Sequence, residues 1–124
     1  MDYRKIVKIF FAQVLLILVV SSALVTYVDP FFHYRKPNVN LFYNLDAGKE
    51  RYQNDGIIKH FDYDTMIIGT SMTENFKASE CDYIFQANTI KVPFSGGTYK
   101  EINDNIATAY RTEHELKNVI RSLD

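Results

Sequence analysis

The sequence predicts an α/β fold built on a parallel sheet and preceded by one transmembrane helix. Three observations carry that reading. Residues 9–28 hold no charged side chain, Met66-Ile67-Ile68 is a short apolar run closed by Gly69, and the segments beyond it alternate between strand-like and helix-like patterns. A continuous apolar run bounded by glycine suits a strand buried on both faces of a parallel sheet. The alternating order strand, helix, strand, helix, strand gives right-handed crossovers with helices on the faces of the sheet.

The elements follow in order. Residues 1–8 carry Arg4, Lys5 and Lys8 and read as a cytoplasmic tail; residues 9–28 read as the membrane anchor. At ~1.5 Å per residue, that anchor spans roughly 30 Å, the thickness of a bilayer's hydrocarbon core. A cleaved signal peptide is the alternative, since Ser21-Ser22-Ala23 offers small residues to a peptidase. A signal's apolar core is usually only about 7–15 residues long, which favours the anchor. The first charge after the span is Asp29, so the positive-inside rule leaves residues 1–8 in the cytoplasm and everything after the span outside the cell membrane.

Residues 29–60 read as a juxtamembrane connector. Pro30 and Pro37 bracket Phe31, Phe32, His33 and Tyr34, a mixture suited to a membrane or domain surface where a helix must stop. Asn54-Asp55-Gly56 predicts a turn before a short helical stretch through Ile57, Ile58 and Phe61. The domain proper is residues 61–124. Its first strand runs into Gly69-Thr70-Ser71, and Ser79 with Asp82 three residues later suggests a capped helix reaching Phe85. A second strand covers 88–92 and ends in Pro93-Phe94-Ser95-Gly96-Gly97-Thr98, where two glycines allow positive φ and a close backbone approach to a ligand.

Tyr99 to Arg111 predicts an amphipathic helix with Tyr99, Ile102, Ile106 and Tyr110 on one face and Asn103-Asp104 on the wet side. A last strand covers 118–123. Three strands are few against the usual five or six, which leads to the expectation that the sequence stops in mid-domain.

Charge and composition exclude several classes. The chain has a net charge of −1, and residues 9–124, with 11 basic and 14 acidic side chains, carry −3. That is no stripe for phosphates, so no nucleic-acid partner is expected. Cys81 is the only cysteine and reads as a small apolar helix residue. His33, His60 and His114 lack the short spacings of a metal site, so no metal and no cofactor is expected.

The candidate functional residue is Ser71. Strands of an open α/β sheet end at the ligand-binding edge, and Ser71 closes the turn after the central one. A serine needs a base for its proton and N–H donors for the developing oxyanion. The Ser71 N–H and one from Gly96-Gly97 would converge as donors, but no histidine is placed to act as the base, and the second glycine of a G-x-S-x-G elbow is missing. By spacing alone, the dominant reading of Gly69-Thr70-Ser71 is a strand-to-helix turn whose hydroxyls cap free N–H groups, and the pattern by itself names no enzyme.

Residues 64–76, the loop Val92-Pro93-Phe94-Ser95-Gly96-Gly97-Thr98 and the terminal Val119-Ile120-Arg121-Ser122-Leu123-Asp124 together resemble the first half of an SGNH/GDSL-type hydrolase. The anchor followed by Val28-Asp29-Pro30-Phe31 is similar to its membrane-anchored, extracytoplasmic branch associated with cell-envelope polysaccharide. The resemblance implies a partial flavodoxin-like, three-layer α/β/α fold. It makes Ser71 the nucleophile and one oxyanion donor and Gly97, or Gly96 beside it, another, with Thr70 where the family usually carries aspartate. It further implies ester hydrolysis or O-acyl transfer on envelope glycans, with the polysaccharide and its biosynthetic proteins as partners beside the lipid bilayer. Asn103 precedes the last strand and so does not match the third-block asparagine. The family's final Asp-x-x-His block has no counterpart here, so the expectation is an inactive chain, the alternative being a non-catalytic membrane-anchored fragment or glycan-binding module.

Overall fold

The computed structural model describes residues 2–41, 43 and 48–123; Asp124, the last residue of the resemblance, lies outside them. The chain is mixed α/β, with one long apolar N-terminal helix and a three-stranded parallel sheet in the order β2-β1-β3. Here β1 is Thr65–Gly69, β2 is Thr89–Pro93 and β3 is Asn118–Arg121. As the apolar run predicts, β1 is central and buried along its whole length.

Helix α1, Tyr3–Val28, begins six residues before the predicted span, because Asp2 accepts the Arg4 N–H and caps it there. The predicted tail is therefore mostly helical. No residue of α1 is buried against the rest of the protein, and the helix is long and apolar enough to cross a membrane.

The junction after α1 is built by Asp29. It closes the helix in the left-handed region at φ 45°, and its buried carboxylate accepts the N–H groups of His33, Tyr34 and Arg35 at 2.9, 2.9 and 3.2 Å. Arg35 returns its guanidinium to the terminal carbonyls of Thr26 and Tyr27, as a cation at a helix C-terminus should. Phe32, 1% exposed, enters the core between Tyr43 and Phe61, with ring centroids 4.9 and 5.2 Å away.

The predicted turn at Asn54-Asp55-Gly56 is instead the middle of helix α2, Glu50–His60. Packing overrides turn propensity here. A Cβ on Gly56 would lie 2.4 Å from the Phe31 carbonyl oxygen and 2.5 Å from that of Phe32, so glycine serves close approach rather than a bend. Gln53 donates to the Pro30 carbonyl at 3.2 Å beside it. Thus α2 belongs to the packed body: Ile57 and Ile58 join Met66, Ile68, Ile90, Val92, Phe94, Ile102 and Ala109 in one core.

Helix α3, Ala78–Phe85, starts at Lys77 rather than at the predicted cap Ser79. Asp82 caps a strand instead, accepting the Thr89 N–H at 2.7 Å. Cys81 is buried in α3 as a small apolar residue. Helix α4, Tyr99–Arg111, has the predicted bounds, and Thr98 with Glu101 forms a capping box that the sequence reading did not identify. Its buried face is Ile102 and Ala109; Tyr99 and Tyr110, expected on that face, are exposed. Strand β2 runs one residue later than expected and includes Pro93, which an edge strand tolerates. Strand β3 ends at Arg121 rather than 123.

Asp64 binds the strands together where they begin. Its carboxylate accepts the Asn88 N–H at 2.9 Å and Lys117 Nζ at 2.9 Å, and its carbonyl accepts the Lys117 N–H at 2.7 Å. The Asn88 hydrogen bond first, then Lys117, holds the Asp64 carboxyl below its ordinary value, and Asp64 raises Lys117 in return.

Two predictions follow from this packing. Gly56→Ala should destabilise the full chain in detergent by about 1–3 kcal/mol from overpacking, although alanine at an exposed helix site would gain about 0.5–1 kcal/mol; an unchanged or raised denaturation midpoint would disprove the close approach. Because its folded pKa is depressed, Asp64 contributes stability above the unfolded carboxylate value of about 3.9 that is lost as pH falls through the folded value. Asp64→Asn should therefore flatten the acid limb of the stability profile below about pH 4, while an unaltered acid limb would show that the carboxylate is not the clamp.

Candidate functional site

Parallel register decides what surrounds Ser71. Gly69 pairs with Pro93 and Ile68 with Arg121, so the loop after β2 and the residues after β3 flank the turn after β1. Ser71 opens a 3₁₀ helix, Ser71–Asn75, and is exposed. Its hydroxyl has no hydrogen-bond partner among the described residues, and Thr70, at the cap position, makes no side-chain capping bond. The capping alternative for these hydroxyls therefore fails, and Ser71 is presented to solvent at the carboxyl end of the central strand.

The turn is held tightly. A Cβ on Gly69 would meet Ser122 Oγ at 1.9 Å and Thr73 Oγ1 at 2.3 Å, and those two hydroxyls are 3.1 Å apart. This glycine admits the hydroxyls of β3's exit and of the 3₁₀ helix into one packed contact. Phe94 N–H donates to the Gly69 carbonyl at 2.9 Å, and Ser95 Oγ donates to Glu74 Oε1 at 3.0 Å. The start of the glycine loop is thus moored to either side of the serine turn, at Gly69 and at Glu74.

Of the two glycines expected as oxyanion donors, the structure distinguishes one from the other. The Gly97 N–H donates to the Phe94 carbonyl at 2.8 Å, and a Cβ there would lie 2.6 Å from the Phe94 ring; an oxyanion would have to displace that bond. Gly96 is exposed, in the left-handed region at φ 63°, with open space where a Cβ would stand. A small cleft between Thr70, Gly97, Tyr99, Ile102 and Ser122 has about 20 Å³ of room, enough for one oxygen-sized group but not for a substrate.

The histidines are brought to the opposite end of the sheet. His60 ends α2 and contacts the His33 carbonyl at 3.3 Å, while His114 stacks on Tyr63 with centroids 4.8 Å apart and contacts the Lys59 carbonyl at 3.5 Å. All three lie with the start of β1, a five-residue strand away from Ser71, or roughly 16 Å at about 3.3 Å per residue. A base must be within about 2.6–3.2 Å, so none of them serves Ser71.

Sequence reasoning missed Arg121. It ends β3 at the serine edge, donates to Asn103 Oδ1 at 2.8 Å, lies over the Tyr99 ring at 5.1 Å, and keeps a buried Nε without a partner. Only the register places it there, since an arginine in a strand pattern signals nothing by itself. No cluster of three metal-binding side chains occurs among the described residues. Beneath α3 an apolar groove of about 610 Å³ runs along Ile67, Phe76, Cys81, Ile84, Phe85 and Ile120.

No family model matches this sequence, and neither the curated proteins nor the solved structures contain a significant match.

Proposed function

We propose that this chain is the anchored, serine-bearing part of an SGNH/GDSL-like ester hydrolase or O-acyltransferase acting on cell-envelope glycans outside the membrane. The carrying observation is an exposed Ser71 at the carboxyl end of a buried central parallel strand, moored to a glycine loop. Helices α2 and α4 share the core of one sheet face, and α3 borders the Ile67 and Ile120 side. That arrangement supports the first half of a flavodoxin-like three-layer α/β/α domain.

In this reading Ser71 Oγ attacks an ester carbonyl, its proton passes to a base, and the glycan alcohol leaves protonated. Water or a second alcohol then takes the acyl group from the serine. Ser71 N–H and Gly96 N–H would receive the oxyanion, Gly97 only after giving up Phe94. The base must come from a group other than His33, His60 and His114. Their position favours a second reading, a non-catalytic anchored module that retains glycan affinity.

Three experiments test this reading. With Arg4, Lys5 and Lys8 in the first turns of α1, ahead of its uncharged stretch, the C-terminus should lie outside; a C-terminal alkaline phosphatase fusion should be active in cells, and an inactive phosphatase alongside an active cytoplasmic reporter would reverse the topology. The full chain in detergent should hydrolyse p-nitrophenyl acetate no faster than Ser71→Ala, because an unassisted serine is almost wholly protonated at neutral pH. Joined to a segment carrying an Asp-x-x-His block, it should label with a fluorophosphonate at Ser71; labelling that survives Ser71→Ala would remove the assignment.

A further inference from the structure

A second cleft, of about 250 Å³, lies between α2 and the outer edge of β2, with Glu50, Asn54, Ile57, Phe61, Ile90 and Lys91 among its walls. It contains a buried carboxylate that is half satisfied. Glu50 is 8% exposed; Oε2 accepts the Gly48 N–H at 2.7 Å, while Oε1 is buried with no partner. A buried acceptor left unpaired costs free energy that a donor from a ligand would recover.

The strand edge supplies the complementary group. Thr65 N–H donates to the Asn88 carbonyl and Phe94 N–H to that of Gly69, and in a parallel ladder alternate residues bond to the same neighbour. Residues 88, 90, 92 and 94 therefore bond to β1, and 89, 91 and 93 face outward. The N–H positions of two of those three are accounted for: Asp82 accepts the Thr89 N–H, and Pro93 has no N–H and gives its carbonyl to Asn54 Nδ2 at 2.7 Å. That leaves the main chain of Lys91, whose ammonium is turned away to the Glu74 and Phe76 carbonyls at 2.8 and 3.2 Å.

From this we infer that the Glu50 cleft binds a single sugar ring, with one hydroxyl donating to Glu50 Oε1, another accepting from the Lys91 N–H, and the ring's C–H face on Ile57 and Phe61. A hydroxyl both donates and accepts, which an acceptor beside a strand N–H requires. The volume lies just under the ~300–1,000 Å³ of drug-sized sites, which suits one ring. Nothing in this inference depends on Ser71.

The test uses the full ¹⁵N-labelled chain in detergent micelles, titrated with methyl glycosides of glucose, galactose, mannose and N-acetylglucosamine, and with ethanolamine. Saturable shifts of the Lys91 and Gly48 amides with at least one glycoside are expected, unchanged in Ser71→Ala and weakened at least tenfold in Glu50→Gln. Shifts confined to other amides, or no shift with any glycoside, would overturn the site, and this arm needs no variant to fold. Binding of ethanolamine in preference to every glycoside would overturn the hydroxyl assignment in favour of a cation. Undiminished glycoside binding by Glu50→Gln would overturn the role of the carboxylate.

Discussion

One aspartate at the start of the central strand sets the geometry of the protein's other end. Asp64 takes a backbone N–H from the residue before β2 and an ammonium and backbone N–H from the residue before β3. Both neighbours are thereby aligned to β1, and a slip of one residue would turn every side chain to the opposite face. Because strands are stiff rods, register fixed there decides which loops stand beside Ser71 seven residues later. The Gly69–Pro93 and Ile68–Arg121 pairs are the outcome.

The junction between anchor and sheet is the second constraint, and it is equally local in origin. Asp29 folds the chain back on the end of α1 by accepting three successive N–H groups. The same turn lays Phe31 and Phe32 across Gly56 and drives the Phe32 ring into the core. A flexible linker has no need of a buried carboxylate or of a glycine in mid-helix. The stretch from residue 29 to 36 is therefore a fitted joint, fixed also by the ion pair of Lys36 with Asp62 at 2.7 Å, although that exposed pair adds little stability.

Polar groups are then distributed unequally over the sheet. The end where the strands begin collects the histidines and the Asp64–Lys117 pair. The end where they finish collects hydroxyls, glycines and Arg121. A serine at that second end has N–H groups and a cation nearby but no imidazole, a setting that can hold an oxygen without activating one. The Glu50 cleft lies apart from the serine turn, along β2, and answers to binding rather than bond cleavage.

The sequence by itself determined the elements whose signal is local: the uncharged span of α1, the apolar run of β1 and the full length of α4. Periodicity and chain connectivity are enough for these, since each depends on neighbours a few residues away. Tertiary structure alone decided the rest. Asn54-Asp55-Gly56 carries the composition of a turn, yet the Phe31 and Phe32 carbonyls demand its glycine inside a helix. Ser79 looks like a cap, but α3 begins before it; Tyr99 and Tyr110 match a buried period and face solvent, while Ile102 and Ala109 are buried and Ile106 packs against the core. Gly96 and Gly97 are alike in the sequence, and only the structure tells them apart, Gly97 by its hydrogen bond to Phe94 and Gly96 by its positive φ and open surroundings. Glu50 and Arg121 gave no local signal, because what distinguishes each is a buried polar atom left unpaired by residues distant in the chain.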